Sequence, residues 1–407
     1  MSPPTFVELV SLRRVDGREG QYTTIHPPEP YGHISHEVAY GGCVQASCII
    51  AAFDMLSRRS ISSAKSGEAE ASPLRLYSLQ GVYLGPTLAG VHLRLSAEVL
   101  RSTKSFFTRD KERITFAATI DFMATPPEQP RQEEGFQRVS AVPLVQPTPR
   151  LEDAQTLEEI AEDRIKEGTL LREVWDAIYE DLFLLSRRTG ETKEVPGTAH
   201  HATMHGCRTD TLEEIAEDRI KEGTLLREVW DAIYEDLFLL SKRTGETKEV
   251  PGTAHHATMH GCKTDVDNPQ KDRHITKRCI ADWNRARGSI VELCKSTQNS
   301  KDGNLVVISP VAASCAYFAF YLDSGLPYVP LITSGLHLAD TSHATSLEVA
   351  VRFIDPEPKA DEWHYKEITS IAQRNERTTS QAHSWDQNGN LTVYATQVGL
   401  IRPTPKL

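Results

Sequence analysis

The stretch Val311-Ala312-Ala313-Ser314-Cys315-Ala316-Tyr317-Phe318-Ala319-Phe320-Tyr321-Leu322 decides the fold, together with the elements on its C-terminal side. It is uncharged, carries neither Gly nor Pro, and reads as an apolar helix-like run. Asp323 ends the run, before the turn signal Ser324-Gly325. Strand-like runs come after it at 346–354, 363–369, 378–385 and 390–402. One apolar helix followed by several antiparallel strands is an α+β pattern.

The same order occurs once before. Gly41-Gly42 opens a helix-like run to about Ser57, with Val44, Cys48, Ile49, Ala52, Phe53 and Leu56 at helical spacing. A polar loop is expected over Ser57–Ser72. Three strand-like runs come next: residues 76–84, the alternating Leu93, Leu95, Ala97 and Val99, and the alternating Ile114, Phe116, Ala118, Ile120 and Phe122. A weak echo links the halves. Ser78-Leu79 leads through Tyr83 to Pro86, and Ser346-Leu347 leads through Phe353 to Pro356. The chain divides into an N-terminal unit (1–125), a linker with an insert (126–280) and a C-terminal unit (281–407).

The insert is a tandem repeat of 55 residues, 156–210 and 211–265, differing only at Arg187/Lys242 and Arg208/Lys263. Each copy opens with capping-box spacing, Thr156 to Glu159 and Thr211 to Glu214. An amphipathic stripe from Leu170 to Phe183 comes next, Gly190 is placed to stop the helix, and the rest reads as polar loop. The copies carry nearly all of the net charge of −11, so the acidity says nothing about a ligand of the flanking units. Insertions in a linker between units change loop entropy little, and the repeat is expected to be dispensable.

Composition excludes several classes. No apolar run reaches the roughly 18–20 residues of a membrane-crossing helix. No basic stripe points to nucleic acid. The N-terminus Met1-Ser2-Pro3-Pro4 lacks the basic and apolar regions of a secretory signal. Seven cysteines without paired spacing fit a reducing compartment. His200, His201, His205 and Cys207, copied at His255, His256, His260 and Cys262, have zinc-type donors, but their spacing matches no standard finger, and no metal is expected.

Three polar groups stand on apolar elements of the second unit: Asp323, Ser346 and Gln397. Taken alone, each admits a purely structural reading: a helix end, a strand-edge hydroxyl and an outward strand amide. Local stretches change the weighting. Ala39-Tyr40-Gly41-Gly42, Tyr77 through Pro86, and Leu100 through Arg109 in the first unit, with Trp283 to Gly288, Ala319 to Asp323, Ser346-Leu347-Glu348, Asp361-Glu362-Trp363 and Gln397 to Arg402 in the second, resemble the type II acyl-CoA thioesterases, the double hot-dog family. The resemblance spans residues 5–125 and about 280–403, not the repeat. Cys43, Val349, Arg352 and Val398 depart from residues frequent in the family, which bears on substrate preference more than on chemistry.

The resemblance implies two antiparallel sheets fused into one, each wrapping a central helix. It implies hydrolysis of acyl-CoA to free acid and CoA without a cofactor. Asp323, Ser346 and Gln397 take the family's catalytic positions: the carboxylate is the general base and the other two hold the attacking water. Gly41 and Gly42 are expected to bring backbone against the substrate, with a helix N-terminus meeting the oxyanion. A covalent serine route is disfavoured, because Ser346 lacks a Gly-x-Ser-x-Gly elbow. The alternatives are a thioesterase of specialised, polyketide-type metabolism and a catalytically dead acyl-binding protein. The resemblance also implies a homo-oligomer. The ending Pro405-Lys406-Leu407 is close to Ser-Lys-Leu, so a peroxisomal import receptor is an expected partner and the peroxisome the expected site, with the cytoplasm as the alternative.

Overall fold

The computed structural model describes residues 4–30, 38–65, 74–100, 103–110, 113–124, 143, 150–155, 157–166, 243–250, 253, 270–334, 336 and 341–403. The helical stripe of the repeat, its His/Cys groups and the tail Pro405-Lys406-Leu407 lie outside them. In chain order the elements are α1 (Phe6–Leu9), β1 (Leu12–Arg14), β2 (Gln21–Thr24), α2 (Gly41–Lys65), β3 (Leu74–Tyr83), β4 (Arg94–Leu100), β5 (Thr103–Asp110) and β6 (Arg113–Ala124). From the linker and its insert onward come α3 (Leu157–Lys166), β7 (Gly245–Glu249), β8 (Cys279–Ala286), α4 (Ile290–Gln298), α5 (Pro310–Asp323), α6 (Val329–Thr333), β9 (Thr341–Phe353), β10 (His364–Arg374), β11 (Arg377–Trp385) and β12 (Leu391–Pro403).

Among the described residues twelve strands join one sheet in the order β1-β2-β4-β5-β6-β3-β9-β12-β11-β10-β8-β7, and every pairing is antiparallel. Read outward from the centre, the two halves follow the same plan. β3 and β9 meet at the seam, from Ser78 opposite Arg352 to Val82 opposite Glu348. The echo seen in the sequence therefore marks two strands in equivalent places on either side of one junction.

α2 and α5 pack against each other inside the curve of this sheet. From Ala312 to Asp323 every residue of α5 is buried, which explains the uncharged run. The helix starts at a Ser309 cap that accepts from the Ala312 N–H, with Pro310 in the first turn. Leu79, Phe116 and Ile120 from the first half and Val351, Ile368 and Ala395 from the second close over the pair, and all are buried. Each large apolar side chain so buried contributes about 1.5–3 kcal/mol. Phe6 of α1 stacks edge-on against Tyr317 and Phe320, at 5.3 Å in both cases.

The structure adds β1, β2, β5 and β8 to the strand runs read from the sequence, and two further elements differ from that reading. α2 runs on to Lys65, through part of the segment expected to be loop. Ser57-Arg58-Arg59-Ser60 offers no breaker, and Asp54, tied to Arg14 (3.0 Å) and the Tyr22 hydroxyl (3.1 Å), fixes the helix to the sheet just before it. The second difference lies in the repeat, whose later part reads in sequence as polar loop. Gly245–Glu249 is a strand that pairs with β8, Gly245 opposite Ala286 and Glu249 opposite Asp282. The insert thus supplies the outermost strand of the C-terminal half. Its Val250 enters a second, smaller core on the far face of the sheet, with Ala154 of the linker and the aromatic rings of Trp283, Tyr365 and Trp385.

Candidate active site

Antiparallel packing brings the last turn of α5 to the first turn of α2. There Asp323, 3% exposed, sits at the amino end of α2, where the helix dipole favours a negative charge. Both glycines are demanded by this approach. A Cβ at Gly41 would lie 2.8 Å from Asp323 Oδ2 and 2.5 Å from the Tyr83 hydroxyl. A Cβ at Gly42 would lie 2.6 Å from the Phe320 carbonyl oxygen, which also accepts a hydrogen bond from the Tyr40 hydroxyl. Gly41 and Gly42 therefore form one wall of the site, and the Gly42 N–H donates to the Asp323 carboxylate itself.

The other walls are strands. Ser346 on β9 and Gln397 on β12 lie on neighbouring strands of the sheet. The Gln397 amide donates to Asp323 Oδ1 at 2.6 Å and to Ser346 Oγ at 2.9 Å. The three residues singled out from the sequence thus form one hydrogen-bonded group. The Gln397 Oε1 is buried and has no donor among the described residues, so an acceptor stands beside the carboxylate. A groove of about 590 Å³ runs over the seam, with Val82, Thr119, Glu348 and Gln397 among its walls.

The structure adds two residues that sequence reasoning does not single out as site groups. Gln45 of α2, fully buried, donates to Asp323 Oδ1 at 3.0 Å and to the Tyr83 hydroxyl at 2.8 Å. Its signal in the sequence is an amide inside an otherwise apolar helical run. Tyr83 stands out there only as part of a longer stretch.

Electrostatics follow from this enclosure. Burial pushes the Asp323 carboxyl up to about 6, while the Gln397 and Gln45 amides and the Gly42 N–H pull it back. Burial, and then the Asp323 charge, holds the Tyr83 hydroxyl well above its ordinary range, so it stays protonated. Burial lifts the Cys43 thiol to about 12, which removes it as a nucleophile near neutral pH. The site therefore offers one carboxylate poised near neutrality, ringed by neutral donors.

A second buried acid, Asp282 of β8, is met by Tyr321 near the same end of α5. Positions two apart do not share a helix face, so Tyr321 points away from Asp323. Its hydroxyl donates to Asp282 Oδ1 at 3.0 Å, and Asp282 pairs with Lys366 at 3.1 Å, both side chains fully buried. Asp282 and Lys366 are directly opposite on β8 and β10. Thr247 of β7 reaches the Tyr321 hydroxyl at 3.0 Å. Among the described residues no cluster of His, Cys, Asp and Glu could hold a metal ion.

Residues 27–123 match the acyl-CoA thioesterase N-terminal domain, and residues 270–401 match the acyl-CoA thioesterase C-terminal domain. No curated protein matches the chain. Similar solved structures include acyl-CoA thioesterase II TesB2 from Mycobacterium marinum (14% identity, 99% of this chain and 100% of that one, TM-score 0.49). A tesB protein from Mycobacterium avium subspecies paratuberculosis (11%, 98% and 98%, 0.49) is another. So is a hot-dog protein from Alicyclobacillus acidocaldarius (12%, 98% and 98%, 0.48). The two domain matches stand in the expected order, take in more than half of the sequence and meet at the seam where Asp323, Ser346 and Gln397 converge. The chain belongs to the acyl-CoA thioesterase family, as a thioester hydrolase on a double hot-dog fold.

Proposed function

We propose that the protein hydrolyses fatty or related acyl-CoA by direct attack of a water held at Asp323. The observation that carries this reading is the hydrogen-bonded group Asp323–Gln397–Ser346, with a carboxyl near pH 6 at its centre. The acyl carbon of a thioester needs an oxygen nucleophile and a base to take that nucleophile's proton. A water that donates to Asp323 and to the Gln397 carbonyl oxygen has both O–H bonds engaged and a lone pair free to attack.

The steps balance without a cofactor. The water oxygen bonds to the thioester carbon, its proton passes to Asp323, and the carbonyl oxygen takes the negative charge. The intermediate collapses, the C–S bond breaks, and the thiolate of CoA takes the proton back from Asp323. A carboxyl near 6 suits both halves: mostly ionised at pH 7, it accepts a proton, and once protonated it is acid enough to release it. Gln397, anchored to Ser346, keeps the base and the water in line.

The test is turnover across a panel of acyl-CoA chain lengths, read as free thiol, for the parent and Asp323→Asn. The expected result is a rate lower by about 10²–10⁴-fold in the variant, with a melt that stays cooperative and is no lower than the parent's above pH 6. Retained turnover in a folded Asp323→Asn overturns the reading.

A further inference from the structure

The Asp323 carboxylate is held from two sides, and only one of them belongs to the group just described. Gln397 uses both amide hydrogens, one on Asp323 Oδ1 and one on the Ser346 hydroxyl. Gln45 does the same from the opposite unit, with one hydrogen on Oδ1 and one on the Tyr83 hydroxyl. Each amide leaves a buried carbonyl oxygen without a donor among the described residues. We infer that Gln45 is a positioning residue for the Asp323 base, and that Tyr83 anchors the Gln45 amide as Ser346 anchors that of Gln397. This rests on the proposed role of Asp323 and extends it to the N-terminal unit.

The amide orientation is fixed by chemistry. An ionised carboxylate only accepts, so the Gln45 group facing it is the NH₂. The second hydrogen then falls on the Tyr83 oxygen, which accepts it and retains its own proton. Gln45 lies in an apolar helical run between Val44 and Ala46, fully enclosed, where an unpaired amide would be strongly unfavourable. Both of its partners are site groups that border Gly41. Around Asp323 the titratable neighbours are the Tyr83 hydroxyl and the Cys43 thiol, and burial keeps both neutral. The pH response of Asp323 is therefore governed by neutral donors, of which Gln45 is one.

Removing a donor to the ionised form raises a carboxyl's pKa. Gln45→Met removes both hydrogens and keeps the volume. The expected result is an acid limb of kcat/KM displaced upward by about one pH unit, hence a loss of roughly tenfold below pH 6 that narrows toward pH 9. Tyr83→Phe releases the far end of the amide and displaces the limb in the same direction by less. In the Gln45→Met background it adds no further displacement. A purely structural role for Gln45 lowers the melting point and scales activity equally at all pH values.

The second readout does not depend on turnover. The Asp323 carboxyl is titrated by ¹³C NMR with aspartate labelling, its resonance assigned by its loss in Asp323→Asn. Its midpoint is expected to rise in Gln45→Met and, by a smaller step, in Tyr83→Phe. Midpoints and acid limbs that superimpose on the parent in both variants overturn the inference. Full turnover in Asp323→Asn overturns the proposed role of the base instead, while the titration still decides whether Gln45 holds it.

Discussion

Asp323 ends α5 and Asp282 of β8 is bonded to Tyr321 of the same helix turn; both acids are buried, yet their surroundings set them to opposite tasks. Asp282 faces the Lys366 ammonium, which itself lies 3.9 Å from the centre of the Tyr321 ring. Asp323 faces two neutral amides and a backbone N–H. A cation cancels the charge and locks a pair in place. Neutral donors hold a carboxylate in position but leave its charge only partly compensated, so it titrates near neutrality. Burial alone therefore does not mark a functional acid; the charge of the partner does.

The largest effect is expected where the pair is broken. Lys366→Met leaves Asp282 uncompensated in the interior and is expected to destabilise the protein by about 3–5 kcal/mol, measured by urea unfolding. A variant as stable as the parent would show that Asp282 takes up a proton at little cost, and the contrast would collapse. Asp323→Asn is expected to have the reverse signature in stability. Because the folded Asp323 carboxyl lies near 6, above its ordinary value, its charge opposes folding at pH 8, on the order of 2–3 kcal/mol. The neutral variant should be at least as stable as the parent above pH 6. That advantage should fade as pH falls from 6 to 4, where the parent's carboxyl protonates in both states.

A smaller effect is expected at Ser346→Ala. Gln397 keeps its bond to Asp323 but loses its outer anchor, so turnover should fall by about 10–10²-fold with the pH profile nearly unmoved. The smallest concerns the repeat. β7 is held by the Glu246–Arg285 ion pair (2.7 Å), by Thr247 and by Arg243 on Glu29 (2.6 Å). The corresponding residues of the first copy, Arg188, Glu191 and Thr192, are the same. Deleting 211–265 joins that first copy to residue 266 at unchanged spacing. Its melting point and turnover should match the parent. Deleting both copies removes the strand that covers Tyr321 and should uncouple the Asp282–Lys366 pair first; differential scanning calorimetry separates the two cases.

Much of this architecture is legible in the sequence alone. The helices at 41 and 310 and most strands follow from periodicity, and the resemblance picks out Asp323, Ser346 and Gln397. What escapes does so for physical reasons. β7 reads Gly-Glu-Thr-Lys-Glu, with no apolar alternation, because an edge strand takes its order from the neighbour it pairs with rather than from its own side chains. Gln45 is hidden because helical spacing shows which face is buried, not which buried amide meets a carboxylate from another unit. Asp282 and Lys366 belong to no pattern visible in the sequence, since only register places them opposite one another.

The margins of the sheet carry one more consequence. β1, at one margin, is covered by the segment after α4, through Arg14 N to the Asn304 carbonyl and Val306 N to the Leu12 carbonyl, both at 2.9 Å. At the other margin β7 presents Glu246 and Lys248 along its length. A covered border and a charged one are both poor templates for a foreign strand. Self-association by edge-to-edge growth, the route by which open sheets aggregate, is thereby discouraged at both margins of the described sheet.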